Sequence, residues 1–425
     1  MWRLRCPICR EHSVSPRGFA GKVPAMNDVH AILEDLGRVA PTRLTGTPGE
    51  RKLQEHVEAR LSRAGFGILW QPFRFPRHIY GSLALHFGLA LALVGVGRAW
   101  PLIAAAGHAI VAYSFYAEAV LRRHVLRRLW PAVDTQNLIA TFPVEGPVKK
   151  RIVFAAHTDS AFTGLMFSPR IVPLIAKPPP AWLPFLRKQL LLPFATVLVL
   201  VGLELASAFA HVPVWPFVVC AIPLLLVFAL NADVVVRNQV VPGAGDNLTG
   251  CAAQIVLAEA WAAAPVPGVE VVFAFTGAEE AGTGGAAHLA RTMGWDRAIT
   301  EVVILDTLSN GDLFILEEGE LFRRARLDDL ARTIHGAASA CGLPEPSWYI
   351  IPAGATDALP FLVEGYRAVA LTCIDPTIGA PRNYHHPNDT VANVDPVQLR
   401  ASTTIAERVM FDLAGAVRVL DVAAE

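Results

Sequence analysis

Two pairs of long apolar segments constrain this chain more than any other feature. Residues 79–97, 99–121, 190–210 and 212–232 are apolar enough to span a bilayer, and each is close to the roughly 20 residues that a helix needs to cross one. Within each pair the link is very short, GRAWP around Arg98 and HVPVWP around His211, so the pairs read as helical hairpins. Buried core helices are the alternative, but four such segments in two back-to-back pairs fit membrane spans better. Composition agrees: 53% of residues are hydrophobic, 17% are charged and the mean hydropathy is +0.40. A soluble domain carries about 25% charged residues.

The rest of the 425 residues read as soluble α/β structure. Strands are expected at 138–142, 152–156, 269–275, 302–305, 313–316, 349–351 and 368–372, and helices at 50–64, 248–263, 286–293, 321–340 and 397–417. Asp395-Pro396 opens the last helix with a capping residue and a proline at the first helical position. Alternating strands and helices predict an α/β fold with a mostly parallel central sheet flanked by helices. Strands before, between and after the apolar pairs must share that sheet, so they must lie on one side of the membrane. Each interruption contains two spans and returns the chain to the side it left. The organisation expected is one discontinuous domain made of 26–78, 122–189 and 233–425, interrupted by transmembrane hairpins at 79–121 and 190–232. Residues 1–25 are basic and lack the apolar core of a secretory signal. They read as a disordered tail, or as an over-extended start ahead of Met26.

Basic flanks set the orientation. Arg74, Arg77, Arg122, Arg123, Arg127, Arg128, Arg187, Lys188 and Arg237 lie on the soluble-domain side of the spans, whereas the opposite links carry Arg98 alone. The expectation is a multi-pass protein of the plasma or inner membrane with its soluble domain in the cytoplasm. Six cysteines without framework spacing agree with a reducing compartment. Cys6 and Cys9 form a lone C-x-x-C with only His12 nearby, short of the four ligands of a structural zinc site. A formal net charge of zero argues against nucleic acid as a partner.

Chemistry-bearing residues fall at strand ends and in small-residue loops. VFAAHTDS places His157 and Asp159 after a strand, and VPGAGDNLTG places Asp246 in a glycine-rich turn before a helix. TGAEEAG sets Glu279 and Glu280 side by side, EVVILDTLS ends a strand on Asp306, and YHHPNDT puts His385 in a loop before the last helix. Singly, each has a plain explanation as a cap, a packed histidine or a solvated loop. Ligands of open α/β sheets gather at the carboxyl ends of strands, so these residues can converge.

In order and context, together with RLTGTPGERKLQEHV near the start, these motifs resemble the co-catalytic dizinc aminopeptidases, relatives of leucyl aminopeptidase, glutamate carboxypeptidase and glutaminyl cyclase. The resemblance runs from Met26 to the C-terminus, leaving out the spans. It implies a zinc aminopeptidase-like fold and two Zn2+ ions, with other divalent metals as substitutes. Asp246 would bridge the pair, His157 and Asp306 would complete one site, and Glu280 and His385 the other. Asp159 would hold the second ring nitrogen of His157, and Glu279 would be the general base. Two metals about 3.5–4 Å apart can clamp a water and a carbonyl oxygen, which suits hydrolysis of a peptide bond.

The family usually has threonine after the histidine of the last motif, where this chain has His386; the spacing to Asp389-Thr390 selects His385 as the ligand. Asp357, in GATDALPF, is open to a structural role or to lining the substrate side. The second hairpin sits between His157 and Asp246, where relatives have a short loop, which places the site near the bilayer surface. The spans either favour membrane-associated peptides or only tether the enzyme. Glu204, His86 and His108 lie inside predicted spans, where packing or interfacial placement is preferred to function. The reading is a membrane-anchored zinc metallopeptidase, an aminopeptidase first of all, with peptide substrates and the bilayer as partners. The alternatives are a glutaminyl-cyclase-like acyltransferase and a non-catalytic protein on the peptidase fold.

Overall fold

The computed structural model describes residues 28–179, 187–322 and 324–422. Residues 1–25 and the Cys6–Cys9 motif lie outside them. The chain begins with α1 (Val29–Val39) and α2 (Pro48–Arg63), enters a sheet as β1 (Gly67–Pro76), and leaves it for α3 (Ile79–Gly97) and α4 (Pro101–Ala119). It returns as β2 (Ala132–Thr141) and β3 (Lys150–His157), followed by β4 (Phe162–Thr163), α5 (Val172–Ala176), α6 (Leu191–Ser207), α7 (Trp215–Arg237) and β5 (Gln239–Val240). Next come α8 (Thr249–Ala263), β6 (Val269–Thr276), α9 (Gly284–Thr292), β7 (Thr300–Leu305) and β8 (Asp312–Leu316). The last elements are α10 (Asp328–Ala340), β9 (Ser347–Tyr349), α11 (Ala358–Val363), β10 (Arg367–Ile374) and α12 (Pro396–Val422).

Eight strands form one sheet in the order β1-β2-β6-β3-β7-β10-β8-β9. Its central strands are apolar on both faces because helices cover both. In β3, Ile152, Phe154 and Ala156 enter one core with α1, α2, α8, α10 and α12, while Val153 and Ala155 enter the other with α9 and α11. A run with no polar alternation is what a strand between two helical layers requires. Helix α8 lies so deep that Thr249 through Ala258 are all buried. Helix α1 buries Val29, Ile32, Leu33 and Leu36 along one stripe, the spacing of an amphipathic helix.

The sheet is mixed, which corrects the expectation of a mostly parallel one. The pairs β6–β3, β3–β7, β7–β10 and β8–β9 are parallel, and β1–β2, β2–β6 and β10–β8 are antiparallel. The reason is loop length: a parallel return takes a crossover of about a dozen residues or more. The links 142–149 and 306–311 are too short for one, so β2 runs against β3 and β8 against β7. Strand β1 escapes sequence reading because Pro72 interrupts it. Proline is tolerated there because β1 is an edge strand with β2 as its one neighbour. Helix α10 starts seven residues later than expected, at Asp328, and an isolated bridge joins Glu318 to Ala325 ahead of it. Asp395 does cap α12, accepting from the Val397 and Gln398 amides.

Among the described residues, α3, α4 and α7 are long and apolar enough to cross a membrane by length and composition, and α6 is a shorter apolar helix of 17 residues. The four pack as a bundle, α3 against α7 and α4 against α6, around Phe87, Phe115, Phe194 and Leu224. Its outer surface leaves Trp100, Ile103, Tyr113, Trp215, Ile222 and Leu226 more than half exposed. The polar groups singled out inside it are hydrogen-bonded within the bundle. His108 pairs with Glu204 at 2.8 Å, while His86 donates to the Ser82 carbonyl and meets the Ser114 hydroxyl.

Candidate metal centre

Three adjacent parallel strands, β6, β3 and β7, deliver the centre. Their register sets His157, at the end of β3, level with Thr276 at the end of β6. Glu279 and Glu280 follow β6 directly, and Asp306 follows β7. Asp246 comes from the loop entering α8, and His385 from the loop between β10 and α12. All five expected ligands meet. His157 Nε2 lies 3.0 Å from Asp246 Oδ1 and 3.9 Å from Asp306 Oδ1. His385 Nε2 lies 3.3 Å from Asp246 Oδ2 and 3.2 Å from Glu280 Oε2. Asp246 thus turns one oxygen to each set, and Glu279 stands with His157 and Glu280 in a third close group. His386 lies outside these groups, with its ring accepting from the Asn388 amide.

The electrostatics suit a cation. Burial raises the carboxyls of Glu279 and Glu280, and neighbouring carboxylates add to the effect. Asp306 is pushed up to about 7 by burial and by Asp246. Burial opposes a charge on His157 and His385, but the carboxylates around them outweigh it, holding His385 at about 10. Glu280 Oε1 is buried without a hydrogen-bond partner. Buried carboxylates and imidazoles converging within 4.8 Å are a donor set that fits zinc or a similar divalent ion.

The supporting contacts refine the expectation for Asp159. The Nδ1–H of His157 donates to the Asp159 backbone carbonyl at 3.1 Å, and the Asp159 carboxylate stands 3.6 Å from Nδ1. A carbonyl only accepts, so Nδ1 carries a proton and Nε2 is the ring atom turned to the cluster, where it would meet a cation once deprotonated. The Asp159 carboxylate instead accepts from the amides of Glu279 and Glu280 and from the Thr45 hydroxyl. It therefore sets the backbone of the twin glutamates. Asp357 is buried and accepts from the Thr276 hydroxyl at 2.6 Å.

Several site residues escaped sequence reading. Tyr80, in the first turn of α3, shares a 3.0 Å hydrogen bond between its hydroxyl and His385 Nδ1. Asp389 accepts from the amides of Gly245 and Asp246. Asn247 donates to the Leu305 carbonyl and accepts from the amides of Gly250 and Thr307, tying the Asp246 loop to β7. Gly250 must lack a side chain, since a Cβ there would lie 2.4 Å from both Asn247 Oδ1 and the Leu305 carbonyl. Buried Arg43 donates to the carbonyls of Ala40, Thr158, Pro242 and Gly243. Arg127 links Glu118 of α4 to the carbonyls of Pro76 and Ala281, the latter beside Glu280. Thr45, from the RLTGTPGERKLQEHV stretch that formed part of the resemblance, meets Asp159 of the H-x-D motif. Ala278, Thr307 and His385 adopt left-handed φ of 57°, 52° and 49°, a cost of about 1–3 kcal/mol each that functional sites tolerate. A cavity of about 350 Å³ opens over Asp246, Glu279, Glu280, Asp306 and His385.

Comparisons with known proteins bear on the family and the fold. Residues 229–410 match the family described as Peptidase family M28. No curated protein sequence matches the chain. Among solved structures, a Zn-dependent exopeptidase from Parabacteroides distasonis aligns with a TM-score of 0.55 at 13% identity, over 91% of this chain and 98% of that one. A glutaminyl cyclase from Bacteroides thetaiotaomicron aligns at 0.54 and 13%, over 91% and 97%. A zinc aminopeptidase from Bacillus subtilis aligns at 0.53 and 14%, over 90% and 94%. The resemblance read from the sequence thus holds: residues 229–410 are similar to peptidase family M28, and the fold is shared with zinc aminopeptidases and glutaminyl cyclases.

Proposed function

We propose that this chain is a membrane-anchored dizinc peptidase, an aminopeptidase in the first instance, with Glu279 as its general base. Peptidase family M28 and the zinc aminopeptidase-like fold support the coarser reading of a metallopeptidase-type hydrolase. The observation that carries the finer one is the division of Asp246, one oxygen toward His157 and Asp306 and the other toward His385 and Glu280. His157, Asp306 and Asp246 would hold one ion, and His385, Glu280 and Asp246 the other. Bound zinc supplies Lewis acidity toward a water and a carbonyl oxygen.

The chain's own residues do the rest. Glu279 is part-buried among carboxylates with its pKa raised, so it is poised to accept a proton from an attacking water and pass it to the leaving amine. Asp159 fixes where Glu279 and Glu280 point by accepting their backbone amides. Tyr80 and the Asp159 carbonyl orient the two histidine rings so that both Nε2 atoms face inward. Glu279→Gln keeps the shape and removes the base. Hydrolysis of a peptide library should fall by about 10²–10⁴-fold while bound zinc, counted by elemental analysis, stays unchanged. Undiminished hydrolysis would overturn the assignment.

The glutaminyl cyclases among the structural relatives supply a second reading, acyl transfer on an amino-terminal glutamine. The complete double ligand set favours the peptidase. Mass spectrometry of a Gln-initiated peptide separates the two: loss of ammonia without chain shortening marks the cyclase, and loss of a residue marks the peptidase.

A further inference from the structure

The cavity over the metal cluster is not enclosed by catalytic loops alone. Tyr80 and Leu83 of α3, Phe115 of α4, Val227 and Leu230 of α7, and Leu190 just before α6 line it along with Asp246, Glu279 and His385. Tyr80 and Leu83 are three residues apart, as are Val227 and Leu230, so α3 and α7 each turn one face to the same space. These span-side groups are apolar, and the polar ones nearest them are engaged at least in part, with Asn231 Oδ1 left buried without a partner. Glu118 accepts from Arg127 and from the Ser82 hydroxyl, both at 3.0 Å, and Asn231 donates to the Val227 carbonyl.

A charged side chain entering against Leu83, Phe115, Val227 and Leu230 would lose its hydration to an apolar surface, whereas an apolar one gains from the same burial. The wall is built from turns of the helices read as spans, and the same lining holds Arg122, one of the basic flanks that mark the bilayer boundary. An apolar peptide lying in that boundary reaches the cavity with its side chains already out of water.

We infer that the cavity takes the apolar residues next to the scissile bond of peptides partitioned into the bilayer, with α3 and α7 as substrate-contacting walls. This rests on the peptidase reading of the centre and on the span reading of the bundle. The substrate class is short, apolar, membrane-dissolved peptides, the kind of product that cleavage of a membrane-spanning segment leaves behind.

The test uses the full chain in phosphatidylcholine nanodiscs and two peptides that share Leu-Ala at the amino terminus. One continues into an apolar, bilayer-partitioning segment and the other into a Gly/Ser-rich soluble one. The expected kcat/KM is at least about tenfold higher for the partitioned peptide, as burial of one or two further apolar side chains allows. Leu83→Gln and Leu230→Gln should each pull that ratio toward one. Equal kcat/KM for the two peptides, or a ratio unmoved by both substitutions, overturns the inference. A second readout does not need turnover: in Glu279→Gln, a partitioned peptide carrying photoreactive leucine should label α3 or α7, read by mass spectrometry. Labels confined to the catalytic loops overturn the inference as well. Labels on α3 or α7 without hydrolysis of either peptide by the unsubstituted protein would uphold the cavity assignment and remove the peptidase reading instead.

Discussion

Asp246 is the residue on which the centre turns, because its two oxygens face different histidines. The orientation of those histidines is set from behind, and the two are held differently. His157 is locked by a neighbour in its own motif, through the Asp159 carbonyl. His385 is held by Tyr80, 305 positions away in the chain and on a helix read as a span. A hydrogen bond to the outer nitrogen of a metal-binding histidine is worth about 10–100-fold in metal affinity. Tyr80→Phe should therefore weaken zinc binding by about that factor, measured by competition with a chromogenic chelator. Unchanged affinity would reduce Tyr80 to a packing residue. Asp159 teaches the complementary lesson. A carboxylate two residues after a histidine was legible as its partner, but which of its atoms meets the ring depends on the turn, and the turn spends the carboxylate on the Glu279 and Glu280 amides.

At the scale of elements, the site is a property of strand ends. Strands β6, β3 and β7 were readable as continuous apolar runs, and the residue after each run was readable as functional because loops at the carboxyl edge of such a sheet carry function. What braces those loops was not readable. Arg43 looks like a charge in a turn, yet it is fully buried and its guanidinium joins the α1–α2 link to the end of β3 and to the loop before Asp246. Arg43→Met would strand several buried carbonyls, each costing about 1–3 kcal/mol when unpaired. A loss of at least about 3 kcal/mol follows, measured as a lowered denaturation midpoint in detergent; an unaltered midpoint would show that water replaces the guanidinium. The mixed sheet belongs to this scale too. Strand direction followed from the short links at 142–149 and 306–311, and alternation of strands with helices had concealed it.

For the molecule as a whole, the sheet unites strands from before, between and after the two apolar pairs. That arrangement is what two even-numbered membrane excursions require, and it makes orientation testable. A cysteine placed at Ala99 or at Val212, in the two short links, should react from outside the cell with a membrane-impermeant maleimide. One placed at exposed Asp134, on the sheet side, should react only after permeabilisation. Labelling of Asp134→Cys in intact cells would reverse the orientation.

The sequence by itself determined what depends on neighbours in the chain: the apolar segments, the strand runs, the capped last helix, and the short motifs bearing His157, Asp246, Glu280, Asp306 and His385. Each of these is encoded within a few residues, where periodicity and turn chemistry act. Only the tertiary structure decided which strands lie side by side, that Arg127 ties Glu118 to the carbonyl beside Glu280, and that Tyr80 of the first apolar pair meets His385. Those contacts join residues far apart in the chain. They arise when the sheet and the bundle pack together and buried polar groups must find partners wherever the fold has brought them.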